Sequence, residues 1–144
     1  MANVKETVGF IHKVPLFQGL NKHQLERLAR SFVNREYVAE QAIVTQNRGG
    51  EGFFVIVSGG ARAIRQRSDG TQAVVNTFGP TDFFGELALL DDGLRTATVV
   101  TTEATQCLVL TRWDFLALLK QDADMAIVVL QELAKRFRMV LDAL

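Results

Sequence analysis

The spacing of apolar residues changes twice along the chain and divides it into three regions. Up to about Phe32 the spacing is helical, with Leu25, Leu28, Ala29 and Phe32 forming one apolar stripe. Asn21 is placed to cap that helix, Gln24 falls at its third position as a capping box requires, and Leu20 and Leu25 flank the start as a hydrophobic staple. Pro15 separates this helix from a shorter one before it, because the residue preceding a proline is steered away from helical backbone. From about Arg35 to Leu110 the period shortens. The runs EYVA, AIVTQ, GFFVIV, ARAIRQR, QAVVNTF, TATVVT and CLVLT read as short strands, punctuated by Gly49-Gly50, Gly59-Gly60, Asp69-Gly70, Gly79-Pro80 and Asp92-Gly93. Ser68-Asp69-Gly70, between two alternating runs, predicts a hairpin turn. No helix-length segment intervenes, which argues against a purely parallel sheet. The expected fold class is mainly β with flanking helices (α+β): a small antiparallel barrel or jelly roll.

The last third returns to helix. Thr111 is placed as a cap with Asp114 at the third position, ahead of Phe115, Leu116, Leu118 and Leu119. A longer helix follows from about Asp124 to the end. Its residues Ile127, Leu130, Ala134, Phe137, Leu141 and Leu144 alternate spacings of three and four, and Val129, Leu133 and Val140 form a second stripe beside them. Two apolar faces call for two partners, the barrel and a second chain, so a homodimer through this helix is one expectation. The chain is expected to be a single domain spanning residues 1–144, with an N-terminal helical region over 1–33, a barrel over 34–111 and terminal helices over 112–144.

Composition narrows the function classes. A chain of 144 residues supports one core. Sixteen basic residues balance sixteen acidic ones, so no net field draws nucleic acid or an anionic membrane. No apolar run approaches the ~20 residues of a membrane span, and MANVKETVGF lacks the regions of a signal peptide. Cys107 is the sole cysteine, which excludes an internal disulfide and suits a reducing, cytoplasmic setting. His12 and His23 both fall in the amino-terminal helices, whereas a metal enzyme on a small barrel needs clustered ligands on strands. No nucleophile–base constellation is visible, and no catalysis is expected.

The chemistry lies in FFGELALLDDGLRTATV. Gly85 opens a short run of helix formers and lets a ligand approach the backbone closely, with the N–H groups of the first turn available to an anion. Arg95 follows nine positions after Glu86, where a guanidinium can hold a phosphate through two parallel hydrogen bonds, and Thr96 adds a hydroxyl. Glu86 would repel a phosphate but accepts well from a sugar hydroxyl. The set suits a compact ligand with one phosphate and a free ribose hydroxyl, as in a cyclic nucleoside monophosphate. Taken singly, Glu86 is also a favourable first-turn carboxylate, and Arg95 also reads as a solvated strand-end residue.

This segment, 84–98, resembles the phosphate-binding cassette of the cyclic nucleotide-binding domain family, F-G-E-L-A-L-L, four variable residues, then R-[ST]-A-[ST]. VPLFQGL, FFVIVSGGARAIRQ and FGPTDFFGE resemble the family's helical entry, its glycine-centred hairpin and its approach to the cassette. The resemblance implies that Glu86 holds the ribose 2′-hydroxyl and Arg95 the cyclic phosphate, that the amides of Leu87 and Ala88 beside Gly85 complete the cradle, and that Thr96 and Ala97 lie against phosphate and base. It further implies Val74 or its neighbours, with Phe83 and Leu87, near the base or pocket floor. The terminal helix resembles the family's mobile lid, with Phe137 stacking on the purine and Arg136 or Arg138 reaching its edge. Those three also read as a core seam residue and two solvated cations, Glu132 pairing with Arg136. Val140-Leu141 stand where catabolite-activator-like factors carry a polar Thr-Ser pair, so base reading of that kind is not expected. The ligand implied is cAMP or cGMP, with a family-level leaning to cAMP, and the partner an effector domain or protein of unspecified kind. The chain stops where a transcription factor would continue into a helix-turn-helix, so direct DNA binding is not expected. The rival reading is a protein-interaction or dimerisation module with a degenerate pocket.

Overall fold

The computed structural model describes residues 3–49, 52–91 and 93–144. Gly50 and Asp92, two of the expected turn residues, lie outside these. The chain forms two compact units, a helical one built from the residues up to Phe32 together with Trp113–Leu144, and a β unit over Val33–Arg112.

In the helical unit, α1 (Val4–Ile11) is capped by Asn3, and Pro15 opens a 3-10 turn over Pro15–Phe17. The helix α2 (Lys22–Arg30) starts in the predicted capping box: Gln24 N–H donates to Asn21 Oδ1 at 2.8 Å and Asn21 N–H to Gln24 Oε1 at 3.0 Å. Strand sequence runs through Thr111, so α3 (Arg112–Gln121) follows β-structure directly, with Asp114 in its first turn. Asp122 caps α4 (Ala123–Asp142) through Met125 N–H at 3.0 Å and takes Arg27 Nη1 on its other oxygen at 3.1 Å, tying α4 to α2. Ile11, Leu16, Phe17, Leu28, Phe115, Met125 and Val129 are fully buried. The buried face of α4 is Met125, Val129 and Glu132. The stripe Ile127, Leu130, Phe137, Leu141 and Leu144 is exposed, as is Val140.

Among the described residues the β unit has eight strands in two antiparallel sheets. These are β1 (Val33–Tyr37), β2 (Ala42–Val44), β3 (Gly52–Ser58), β4 (Ala61–Gln66), β5 (Gln72–Phe78), β6 (Phe83–Phe84), β7 (Thr98–Thr101) and β8 (Thr105–Thr111). One sheet has the order β1-β8-β3-β6 and the other β2-β7-β4-β5. Val44, Ala61, Ala63 and Val99 from one sheet and Phe54, Ile56, Phe84, Cys107 and Val109 from the other make a common core. The Cys107 thiol is fully buried there, and loss of solvent pushes its pKa up to about 11. The predicted hairpin joins β4 to β5, with Asp69 Oδ1 accepting from the Thr71 hydroxyl and amide at 2.6 and 2.9 Å. The two-residue strand β6 is too short to show alternation in sequence. Its residues point opposite ways: Phe84 stacks on Phe54 in the core (centroids 5.0 Å apart, 11° between planes), while Phe83 meets Phe53.

The register of β4 with β5 slips once. Ala63 pairs with Asn76, but Ile64 pairs with Val74, so Val75 is the extra residue of a β-bulge. This slip determines which β5 side chains face inward.

Candidate ligand-binding site

A cavity of about 630 Å³ opens in the β unit, within the size range of small-molecule sites. Its wall on one side is the segment after β6. Gly85 sits in the left-handed region at φ 86°, and Glu86–Leu89 form a 3-10 turn that starts from it. An added Cβ at Gly85 would lie 2.6 Å from the Gly52 carbonyl and against Arg95 Nη1, so the backbone passes too close for any side chain. The short helix expected after Gly85 is a 3-10 turn, and this sets the amide inventory. Ala88 N–H donates to the Gly85 carbonyl at 3.0 Å and is spent inside the turn, leaving Leu87 to supply an amide from that pair.

The chain then turns back, and Arg95 is pinned at its backbone on both sides. Its N–H donates to Arg48 O at 2.9 Å, and its carbonyl accepts from Asn47 N–H at 2.8 Å. The half-buried guanidinium donates through Nη2 to the Gly52 carbonyl at 2.6 Å. Burial lowers its pKa from the ordinary guanidinium value, and Nε is enclosed with no hydrogen-bond acceptor among the described residues. A cation so placed, with donor capacity to spare, is matched to an incoming anion.

Gly85, Glu86, Leu87, Ala88, Arg95, Thr96 and Ala97 all line this one cavity, so two ends of the cassette segment converge. The floor is Val44, Ala63, Val99 and Phe84. Of the residues placed near the base, Leu87 and Val75, the neighbour of Val74, line the cavity, whereas Phe83 and Val74 itself do not. Phe84 faces in while Phe83 packs on Phe53, as alternation along β6 demands. Val74 is 57% exposed, and the bulge presents Val75 and Asn76 instead. Arg65 also lines the cavity and was missed; Ala61, Ala63 and Arg65 alternate along β4, a pattern that would have found it. Phe137, Arg136 and Arg138 are exposed on α4, in the helical unit.

Residues 34–122 match the family model described as the cyclic nucleotide-binding domain. The chain is 34% identical over 124 residues to the cyclic AMP receptor protein of Thermus thermophilus, covering 86% of this chain and 57% of that protein. It is 38% identical over 96 residues to the cAMP-dependent protein kinase regulatory subunit of Mycosarcoma maydis, covering 67% of this chain and 18% of that one. The N-terminal domain of a transcriptional regulator from Streptomyces coelicolor A3(2) superposes with a TM-score of 0.86 at 27% identity, covering 94% of this chain and 96% of that structure. The chain thus spans less than two thirds of either curated relative. It belongs to the cyclic nucleotide-binding domain family.

Proposed function

We propose that the chain is a regulatory sensor that binds a 3′,5′-cyclic nucleotide, cAMP or cGMP, and performs no catalytic step. One observation carries this: the left-handed Gly85 turn and the half-buried Arg95 guanidinium, whose Nε has no acceptor among the described residues, wall the same cavity. The names of the two curated relatives, a cyclic AMP receptor and a cAMP-dependent kinase subunit, support the ligand class. In this reading Arg95 and the Leu87 amide take the cyclic phosphate, Glu86 accepts from the ribose 2′-hydroxyl, and Thr96 and Ala97 lie beside phosphate and base. Binding favours a state in which α4 moves and passes the signal to an effector domain or partner protein. Phe137, Arg136 or Arg138 then cover the base. Among the described residues no helix is long and apolar enough to cross a membrane.

The sugar assignment has a direct test. Glu86→Ala should weaken cAMP and cGMP by about tenfold while leaving the 2′-deoxy analogues unchanged, measured by titration calorimetry on protein unfolded and refolded to strip carried-over ligand. Equal losses for the ribo and deoxy forms would remove Glu86 from the sugar.

A second reading, association of two copies through α4, is favoured by the exposed stripe Ile127, Leu130, Phe137, Leu141 and Leu144. Phe137→Glu should then convert a dimer into a monomer in sedimentation velocity. A wild-type chain that sediments as a monomer at all concentrations would sink this reading.

A further inference from the structure

We propose that β1 is a docking edge for an extended segment of a partner protein, which adds to the sheet as a further strand and lays an arginine side chain over Glu36. Beside this edge lies a second cavity of about 580 Å³ that shares no residue with the first. Among the described residues β1 is bonded to β8 alone, so its other side is a sheet edge, a template for one more strand. The register sets Glu36 of β1 opposite Gln106 of β8, and a bulge at Val57 brings Ser58 of β3 opposite Gln106 as well. All three line the second cavity. They form one row across the sheet, on the face away from the core, since Cys107, next along β8, points into that core. On an added strand the residue opposite Glu36 would extend this row, its Cβ about 5 Å from that of Glu36.

The chemistry of the row specifies that residue. Glu36 is the one charged side chain lining the cavity, it is exposed, and its carboxylate has no ion pair or hydrogen bond among the described residues. Gln106 donates through Nε2 to Asn34 Oδ1 at 3.0 Å, so its Oε1 remains as an acceptor. The exposed Ser58 hydroxyl can accept beyond it. Two carboxylate oxygens followed by an amide oxygen match the planar fork of a guanidinium, which meets a carboxylate through two parallel bonds. An acidic or phosphorylated residue would be repelled there. Gln41 adds a contact to the backbone of the segment: its Oε1 accepts from Val38 N–H at 3.1 Å, which leaves the side-chain nitrogen to donate to an incoming carbonyl. Val38 lies two residues beyond Glu36 and is 70% exposed, so the site favours an apolar residue two positions from the arginine.

The test is an NMR titration of the isotope-labelled full chain with the peptide acetyl-TVTRTVT-amide, which carries a valine two positions to either side of its arginine. We expect binding tighter than about 1 mM, with the largest amide shifts at Glu36, Val38, Ser58 and Gln106. Glu36→Gln, at an exposed position, should melt as wild type does and weaken the peptide by about tenfold or more. Replacing the peptide's arginine by citrulline, which keeps its shape and removes its charge, should weaken binding to wild type by as much. If citrulline binds as well as arginine, the charge assignment is overturned. If arginine amide alone binds this row as tightly as the peptide, strand addition is overturned. Shifts confined to other parts of the chain, or none at several-millimolar peptide, would overturn the proposal as a whole, and each of these outcomes leaves the cyclic nucleotide reading standing.

Discussion

Arg95→Ala should weaken cyclic nucleotide binding by about ten- to 150-fold, corresponding to the ~1.5–3 kcal/mol of a charge-assisted contact. The expected size follows from the burial of the guanidinium. It is half-buried, its Nε has no acceptor among the described residues, and its Nη2 rests on a neutral carbonyl rather than a carboxylate. Among the described residues its hydrogen bond goes to a neutral partner, and in the proposed reading the ligand's phosphate supplies the counter-charge. The effect on the ligand-free protein should be modest. One bond to Gly52 is lost, on the order of 1 kcal/mol, offset in part because a buried charge is also removed. Denaturant unfolding without ligand, beside calorimetric affinity, separates the two. Unchanged affinity would show that the phosphate lies elsewhere.

The second large effect is expected at Gly85. Alanine there must adopt a left-handed conformation, costing about 1–2 kcal/mol, and its Cβ would also meet Arg95 Nη1 and the Gly52 carbonyl. The backbone carbonyl cannot yield cheaply, so the arginine and the turn must shift. Gly85→Ala should therefore lower the melting temperature by several degrees and reduce affinity by at least as much as Arg95→Ala, since it displaces Arg95 and the Leu87 amide together. A variant with wild-type melting and affinity would mean that the turn adopts another backbone conformation in solution.

Much of this arrangement was legible in the residues. The capping box at Asn21 and Gln24, the Asp69-Gly70 hairpin and the cassette spacing are local patterns, and local patterns survive folding because their partners are close in sequence. What the sequence concealed depended on register. A single bulge at Val75 moves Val74 outward and brings in Asn76, and nothing in QAVVNTF marks where the slip falls. The two-residue β6 gave too short a run to show that Phe84 rather than Phe83 faces the core. Ala88's amide was lost to the cradle because the turn is 3-10, a choice between i→i−3 and i→i−4 bonding that ELAL does not encode. On α4 the longer apolar stripe was visible, but its spacing is the same whether it faces the protein's own core or solvent, and the structure leaves it exposed.

The position of β5 has an evolutionary consequence. It is an edge strand, bonded to β4 alone, and the side chains it contributes at Val75 and Asn76 are exposed. Substitutions at such positions generally alter folding stability by less than about half a kcal/mol. Arg95, by contrast, is bonded to the Gly52 carbonyl of β3, and Gly85 passes so close to both that no side chain fits there. In the proposed reading the groups that take the cyclic phosphate are thus tied into the scaffold, while the cavity lining on the edge strand stands where mutation is nearly free. In that reading, a lineage with this scaffold can change the chemical message it receives without first relearning how to hold it.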